Sequence, residues 1–420
     1  MASPPTVDAR DTTAWLRRFA RTTPGVIGLI AIAVAAGCII CSAVCVAALQ
    51  TRIAEGRAVL EHSEPLAYAA QNLYVALSAA DAAAASGFLA SEIQAGPMRA
   101  RYQEALADAA SALSDATAGA SDLQTRTAMA EISAQMLTYA GLVEAARANS
   151  RQGFAVGSGY LREASSLMQD SLLPAAEKIY TGNLARVDRA QRAVGSVPTV
   201  GLSLLAVLLF TVGAGSLLMF ARTNRLVNLG LTVAAVATLL MITWLVVATR
   251  LAAADIEQSR TDGTQRIAQL GEARILAERA RTVETLQLIA HGDVTASDEK
   301  FYALIAALEK LIRSAPPPTA HSVANWTGSH RAQVQTYLSG DYPGAVAQAI
   351  GADPGASAAQ FAAVETGLHD GIQQARAALR DEVSAAQARL AWSPIGALAL
   401  MAIAVAAAVT GLWPRLKEFL

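Results

Sequence analysis

The chain has 420 residues, of which 53% are hydrophobic, and its mean hydropathy of +0.35 is high for a wholly soluble protein. A formal net charge of -1 and the lack of any basic tract offer nothing to a nucleic acid. The three cysteines, Cys38, Cys41 and Cys45, share one apolar run, so the rest of the chain cannot be stapled by disulfides and must rely on packing.

Four uncharged apolar stretches lie at 25–49, 197–220, 227–249 and 394–413. Each is about 20 to 25 residues and, at about 1.5 Å per residue, crosses a hydrocarbon core of roughly 30 Å, so all four are predicted to be transmembrane helices. Trp15, Arg17, Arg18, Phe19 and Arg21 precede the first, in a segment spanning 1–24. Apolar sequence continues well past Cys38, which argues against lipoprotein cleavage there. Within this span Ala33, Gly37, Cys41 and Cys45 recur every fourth residue, a small-residue stripe expected to pack against another membrane helix. No histidine or carboxylate shares that depth, so a metal site is not expected.

The segment 50–196 is rich in alanine, leucine, glutamine, glutamate and arginine, with apolar positions recurring at three and four, and should be helical. Breaks are predicted at Gln94-Ala95-Gly96-Pro97, at 118–122, and at 150–159, written SRQGFAVGSG. Three breaks make four helices, the first ending near Ile93 and the fourth running from Tyr160 into the second span.

The hairpin 221–226 then carries Arg222 and Arg225, and after the third span the segment 250–393 repeats the plan. Its breaks are predicted at 291–297, at 314–319 and across 340–355, with Thr319 or Ser322 as the N-cap of its third helix. A shift of 200 residues superposes the first and third spans and sets Tyr102 on Tyr302, a shared spacing that argues for duplication. The last span, 394–413, is followed by a tail at 414–420 with Arg415 and Lys417.

Arginine and lysine beside the spans place the three short segments, and with them both termini, in the cytoplasm. The expected fold is thus an all-α membrane protein of the plasma membrane. It has four transmembrane helices and two tandem extracytoplasmic antiparallel four-helix bundles, at 50–196 and 250–393.

No charge lies within any span, which makes a solute carrier a poor reading. No metalloprotease, nucleophile-elbow or phosphate-loop motif occurs. The five histidines read as surface or loop residues, and Asp298 and Glu299 sit in a solvated run. The short segments are too small to fold as an enzyme. The protein is expected to be non-catalytic, with no cofactor and no metal. In an up-down-up-down bundle the first and third breaks meet at the tip far from the membrane. Arg151, Phe154 and Val156 there, and Tyr342, Pro343 and Val346 in the second segment, either cap their bundle's core or form a docking surface for another protein.

The run RQGFAVGSGYLREASSLMQDSLLPAAEKIY at 151–180, in a chain of four spans with two outer helical segments, resembles the actinobacterial GlnX-like membrane proteins. That resemblance implies a sensor that takes its signal from an extracytoplasmic amino-acid-binding lipoprotein of the glutamine, glutamate or aspartate type. It also implies relay to a cytoplasmic serine/threonine protein kinase. Output would fall on Trp15, Arg17, Arg18, Phe19, Arg222, Arg225, Arg415 and Lys417, which can equally anchor the protein at the lipid bilayer's surface. The competing expectation is a structural or transporter-associated scaffold without a signalling role.

Overall fold

The computed structural model describes residues 23–89, 92–152, 156–196, 198–223, 228–290, 294–314, 316–351 and 353–417. Trp15, Arg17, Arg18, Phe19, Phe154 and Arg225 lie outside the described residues. Those described are helical almost throughout. In chain order they form α1 (Thr23–Ala58), α2 (Glu64–Leu89), α3 (Glu92–Gly119), α4 (Leu123–Arg151), α5 (Val156–Leu167), α6 (Leu173–Gly195) and α7 (Thr199–Thr223). The chain continues through α8 (Leu229–Gln258), α9 (Arg266–Ala290), α10 (Thr295–Leu311), α11 (Pro317–Leu338), α12 (Tyr342–Ile350), α13 (Ser357–Ala391) and α14 (Ser393–Lys417). Helices long and apolar enough to cross a membrane fall within Gly25–Leu89, Thr199–Ala221, Leu229–Ile289 and Ser357–Trp413. The protein is a multi-pass helical membrane protein.

Two compact units result. The membrane unit takes the described parts of Met1–Gly56, Arg192–Glu257 and Val383–Leu420, and the inter-span unit comprises Arg57–Gln191 and Gln258–Glu382. In the membrane unit the packed face of α1 is Val34, Cys38, Cys41 and Cys45, against Leu205, Leu208, Met241 and Met401. Ala33, the first member of the expected stripe, is exposed. Cys38 and Cys41, spaced as CxxC, are free thiols that act here as small core side chains. Gly230 and Gly411 bring α8 and α14 into backbone contact: a Cβ on Gly230 would lie 2.7 Å from the Gly411 Cα.

Both segments belong to the one inter-span unit, each with a core of its own. Alanine makes this possible. Ala105, Ala109, Ala112 and Ala116 stripe one face of α3 and let it lie close along α2. That pair is antiparallel, with Gly119 beside Leu66 at one end and Gly87 beside Met98 at the other. The first segment's core adds Tyr139, Met168 and Leu172 from later helices. The second segment builds its own around Phe301, Trp326, Val364 and Leu368, with Phe301 edge-on to Trp326 at 5.3 Å. The two meet along α2 and α9, where Ile275 joins the first core and Tyr68 packs against the second. Gly271 is required there, since a Cβ would strike the Tyr180 hydroxyl and lie 2.7 Å from the Gln71 amide nitrogen.

The breaks differ in detail from the sequence expectation. The first helix is described to Leu89 and the second from Glu92, so Ile93 belongs to the second helix instead of closing the first. Pro97 sits inside α3, where it forfeits the bond its missing N–H would make one turn back. Helix α6 stops at Gly195, and Pro198 separates it from the second span, so the fourth helix does not run on unbroken. In the second segment α11 starts with proline at its first turn, placing Thr319 and Ser322 within the helix instead of at its cap. The stretch 340–355, expected to be a loop, holds α12, begun by Asp341 accepting from the Gly344 N–H at 2.9 Å.

Single π-helical turns interrupt three of the helices: Val59–Ser63 between α1 and α2, Ser259–Gln265 between α8 and α9, and Met168–Leu172 between α5 and α6. The first two begin 200 residues apart (59 and 259). Each π turn holds one residue more than the α turn it replaces.

Candidate functional site

The expected docking residues have unequal fates. Arg151 closes α4 and is exposed, and Val156 opens α5 with 53% of its surface accessible. Arg151 stands near the end of α2 and the start of α3, close to Phe88 and Arg99. Gly87, Gly96, Arg147 and Arg151 line one groove there of about 260 Å³. Arg147 is held by Glu144 at 2.7 Å and lies over the Tyr102 ring at 4.2 Å.

In the second segment Pro343 is exposed, but Val346 is buried with Leu288, Ala349 and Ile350. The Tyr342 hydroxyl donates to the Leu288 carbonyl at 3.1 Å. Val346 and Tyr342 therefore secure α12 to α9 and leave little for a docking surface, because α12 is an amphipathic helix where a loop was expected. Arg222 is a helical residue of α7, and Arg415 and Lys417 belong to α14.

Sequence reasoning missed a buried carboxylate in each segment. Asp81 on α2 is 2% exposed and accepts from the Tyr139 hydroxyl at 3.2 Å, the Ser165 hydroxyl at 2.9 Å and the Gln169 amide at 3.2 Å. Burial pushes its carboxyl above the usual aspartate value, and the three neutral donors only partly oppose this. The signal was a lone acid in the run SAADAAAAS.

Glu284 on α9, fully buried, is arranged otherwise. Arg281 donates to it at 2.6 Å, the Trp326 indole at 3.3 Å, and the Ser357 hydroxyl also bonds to it. The His330 ring bridges Glu284 and Asp298, with Nδ1 3.0 Å from one and Nε2 3.1 Å from the other, and stacks on Phe301 at 3.6 Å. Burial alone would raise the Glu284 carboxyl. Arg281, followed by His330 and Ser357, more than offsets it and holds the carboxyl below the usual glutamate value. His330 is thus a core residue, not the surface or loop histidine expected. Val323, Trp326, His330 and Gln333 make one buried face of α11, the pattern that would have placed it.

Charged side chains also cross between the segments. Arg274 on α9 donates through Nε to Glu365 of α13 at 2.7 Å and through Nη1 to Asn72 of α2 at 3.1 Å. Arg376 of α13 lies over the Tyr68 ring at 3.5 Å and donates to Glu64. Arg279 reaches both Tyr74 at 3.3 Å and Glu177 at 2.6 Å. Tyr68, Asn72, Arg274, Glu365 and Arg376 edge a groove of about 650 Å³ that Asp108 and Asp115 also line. Glu278, buried beside Glu365, is pushed well above the usual glutamate value, by burial first and then by that neighbouring carboxylate. The paired arginines are satisfied by protein carboxylates, so the groove reads as a polar seam fixing one segment on the other.

Among the described residues no group of histidine, cysteine, aspartate or glutamate side chains could hold a metal ion. No curated protein and no solved structure matches the chain. Residues 55–192 match the actinobacterial sensor domain. The match is to a sensory family and agrees with a non-enzymatic role. A sensor-type domain of the actinobacterial kind is therefore present in the first segment of this multi-pass membrane protein.

Proposed function

We propose that the protein is a transmembrane sensor whose inter-span unit receives a signal outside the cell and passes it inwards. The observation that carries this is the sensor-domain match at 55–192, lying between helices of membrane-spanning length. The arginine and lysine distribution supports cytoplasmic termini and a cytoplasmic central hairpin, which leaves both long segments extracytoplasmic.

The input surface we assign to the first segment's tip, around Arg151, Phe154 and Val156, with Pro343 the outward residue of the second. Its partner in this reading is an extracytoplasmic solute-binding lipoprotein for glutamine, glutamate or aspartate. The output partner is a cytoplasmic serine/threonine kinase engaging Trp15, Arg17, Arg18, Phe19, Arg222, Arg225, Arg415 and Lys417. The recurrence of π turns at 59 and 259 supports duplication of the two halves. It also supplies a relay: converting a π turn to an α turn moves the adjoining helix by one residue, about 1.5 Å and about 100°.

Capture from solubilised membranes tests the reading. A tagged chain is expected to retain a solute-binding lipoprotein in a way that changes with added glutamine, glutamate or aspartate, and Phe154→Asp is expected to weaken that capture. Partners indifferent to amino acids would favour a scaffold instead. Topology is tested with Thr223→Cys in a background lacking the three native cysteines; labelling by an impermeant thiol reagent on intact cells would invert the map.

A further inference from the structure

A second groove, of about 620 Å³, runs between the start of the fourth helix of the first segment and α9. Its size is that of a small-molecule site. Ser158, Arg162, Ser165 and Gln169 line one side, and Leu286 and Ile289 of α9 line the other. Gln169 belongs to the π turn Met168–Leu172, a local distortion often found at functional positions.

The polar side has a definite sense. Ser165 and Gln169 give their protons to the buried Asp81, at 2.9 Å and 3.2 Å. The Ser165 Oγ lone pair and the Gln169 carbonyl oxygen are left as acceptors for a donor in the groove, beside the second N–H of the Gln169 amide. The Arg162 guanidinium makes one long bond back to the Ser158 carbonyl, at 3.4 Å, and among the described residues no carboxylate pairs with it. Ser166, at the rim, is already bonded to Asp170 at 2.8 Å. A cation, acceptors one and two turns further along, and an apolar wall opposite describe a complementary ligand. It carries a carboxylate, an N–H donor beside it, and an apolar side chain.

We infer that this groove binds a small apolar α-amino acid or its N-acylated form: the carboxylate on Arg162, the N–H on Ser165 and Gln169, and the side chain on Leu286 and Ile289. The inference deepens the sensor reading, on which its physiological meaning rests, by giving the inter-span unit a ligand of its own. Occupancy would draw on the same side chains that secure Asp81 and would bear on the π turn, so binding and helix register share residues.

The test is calorimetric titration of the full chain in nanodiscs with leucine, N-acetylleucine and N-acetylleucinamide. Saturable binding of either acid is expected, at least about tenfold weaker for the amide that lacks the carboxylate, and about tenfold weaker again in Arg162→Gln. Leu286→Ala is expected to weaken the acids severalfold. Which acid binds identifies the free or the acylated source. Absence of binding by both acids to a chain with intact helical circular dichroism, equal affinity for acid and amide, or indifference to Arg162→Gln would each overturn the site. Such a result leaves the capture experiment untouched, and failed capture with intact calorimetry would instead overturn the partner reading.

Discussion

In each segment of the inter-span unit a buried carboxylate on the opening helix meets partners from the third and fourth helices, and the two are stabilised in opposite ways. Asp81 receives three neutral donors and, among the described residues, no cation within bonding distance, and its carboxyl rises. Arg281 stands 200 residues further on, and one turn later Glu284 receives it together with His330, so that carboxyl falls. The first arrangement favours a protonated acid, the second an ion pair. Linkage then gives opposite signs. Glu284 contributes stability above the usual glutamate value, and this is lost as pH falls through its lowered folded value. Asp81 contributes below the usual aspartate value and loses its contribution as pH rises through its raised folded value. Mild acid should relieve the first segment, and only acidification below the usual glutamate value should weaken the second.

The most severe way to test this contrast is Glu284→Gln. It leaves Arg281 buried at 7% side-chain exposure without its anion, and breaking such a pair costs about 3–5 kcal/mol. A large fall in the apparent melting temperature of the full chain is expected near neutral pH, shrinking as pH is lowered. Asp81→Asn keeps the shape and most of the hydrogen bonds while removing the titrating group. Its cost should stay within about 1.5 kcal/mol near neutral pH, and the melting temperature should lose the part of its pH dependence that falls with rising pH. Equal losses in the two variants would erase the distinction.

Much of this architecture was legible in the sequence, and the illegible part has a physical explanation. Uncharged runs of membrane-crossing length mark the spans whatever packs around them. The turn before Asp122 was visible because small and capping residues cluster there. The carboxylate centres were not, since their partners are remote: Glu284 meets His330 46 residues away and Ser357 73 away. The single acid among the alanines around Asp81 and the single acid on the Ala277, Ala280, Leu288 face of α9 were the available hints. Helix α12 was mistaken for a loop because glycine and proline surround it, although Asp341 followed by Pro343 is a helix-start pattern. The sharing of one compact unit by both segments had no local signature, because it rests on alanine faces that suit packing inside one bundle equally well.

The contrast extends, with smaller effects, to how each segment starts its third helix. Asp122 caps α4, accepting from the Thr125 N–H at 2.8 Å and the Thr125 hydroxyl at 2.9 Å, with Arg186 at 3.0 Å. Those bonds, the backbone one foremost, pull its carboxyl down to about 2. α11 instead begins on prolines, with no side-chain cap. Asp122→Ala should cost about 1 kcal/mol, with little from the exposed Arg186 pair. Because the folded value is depressed, that stability is present above the usual aspartate value and lost as pH falls towards about 2, so variant and parent should converge there. Pro318→Ala, acting through unfolded-chain entropy, should cost about half as much and show no such convergence. Parallel pH titrations of melting temperature separate the two. If Pro318→Ala converges with the parent in acid as Asp122→Ala does, the convergence reflects a general loss of acid stability, and the cap cannot be its cause.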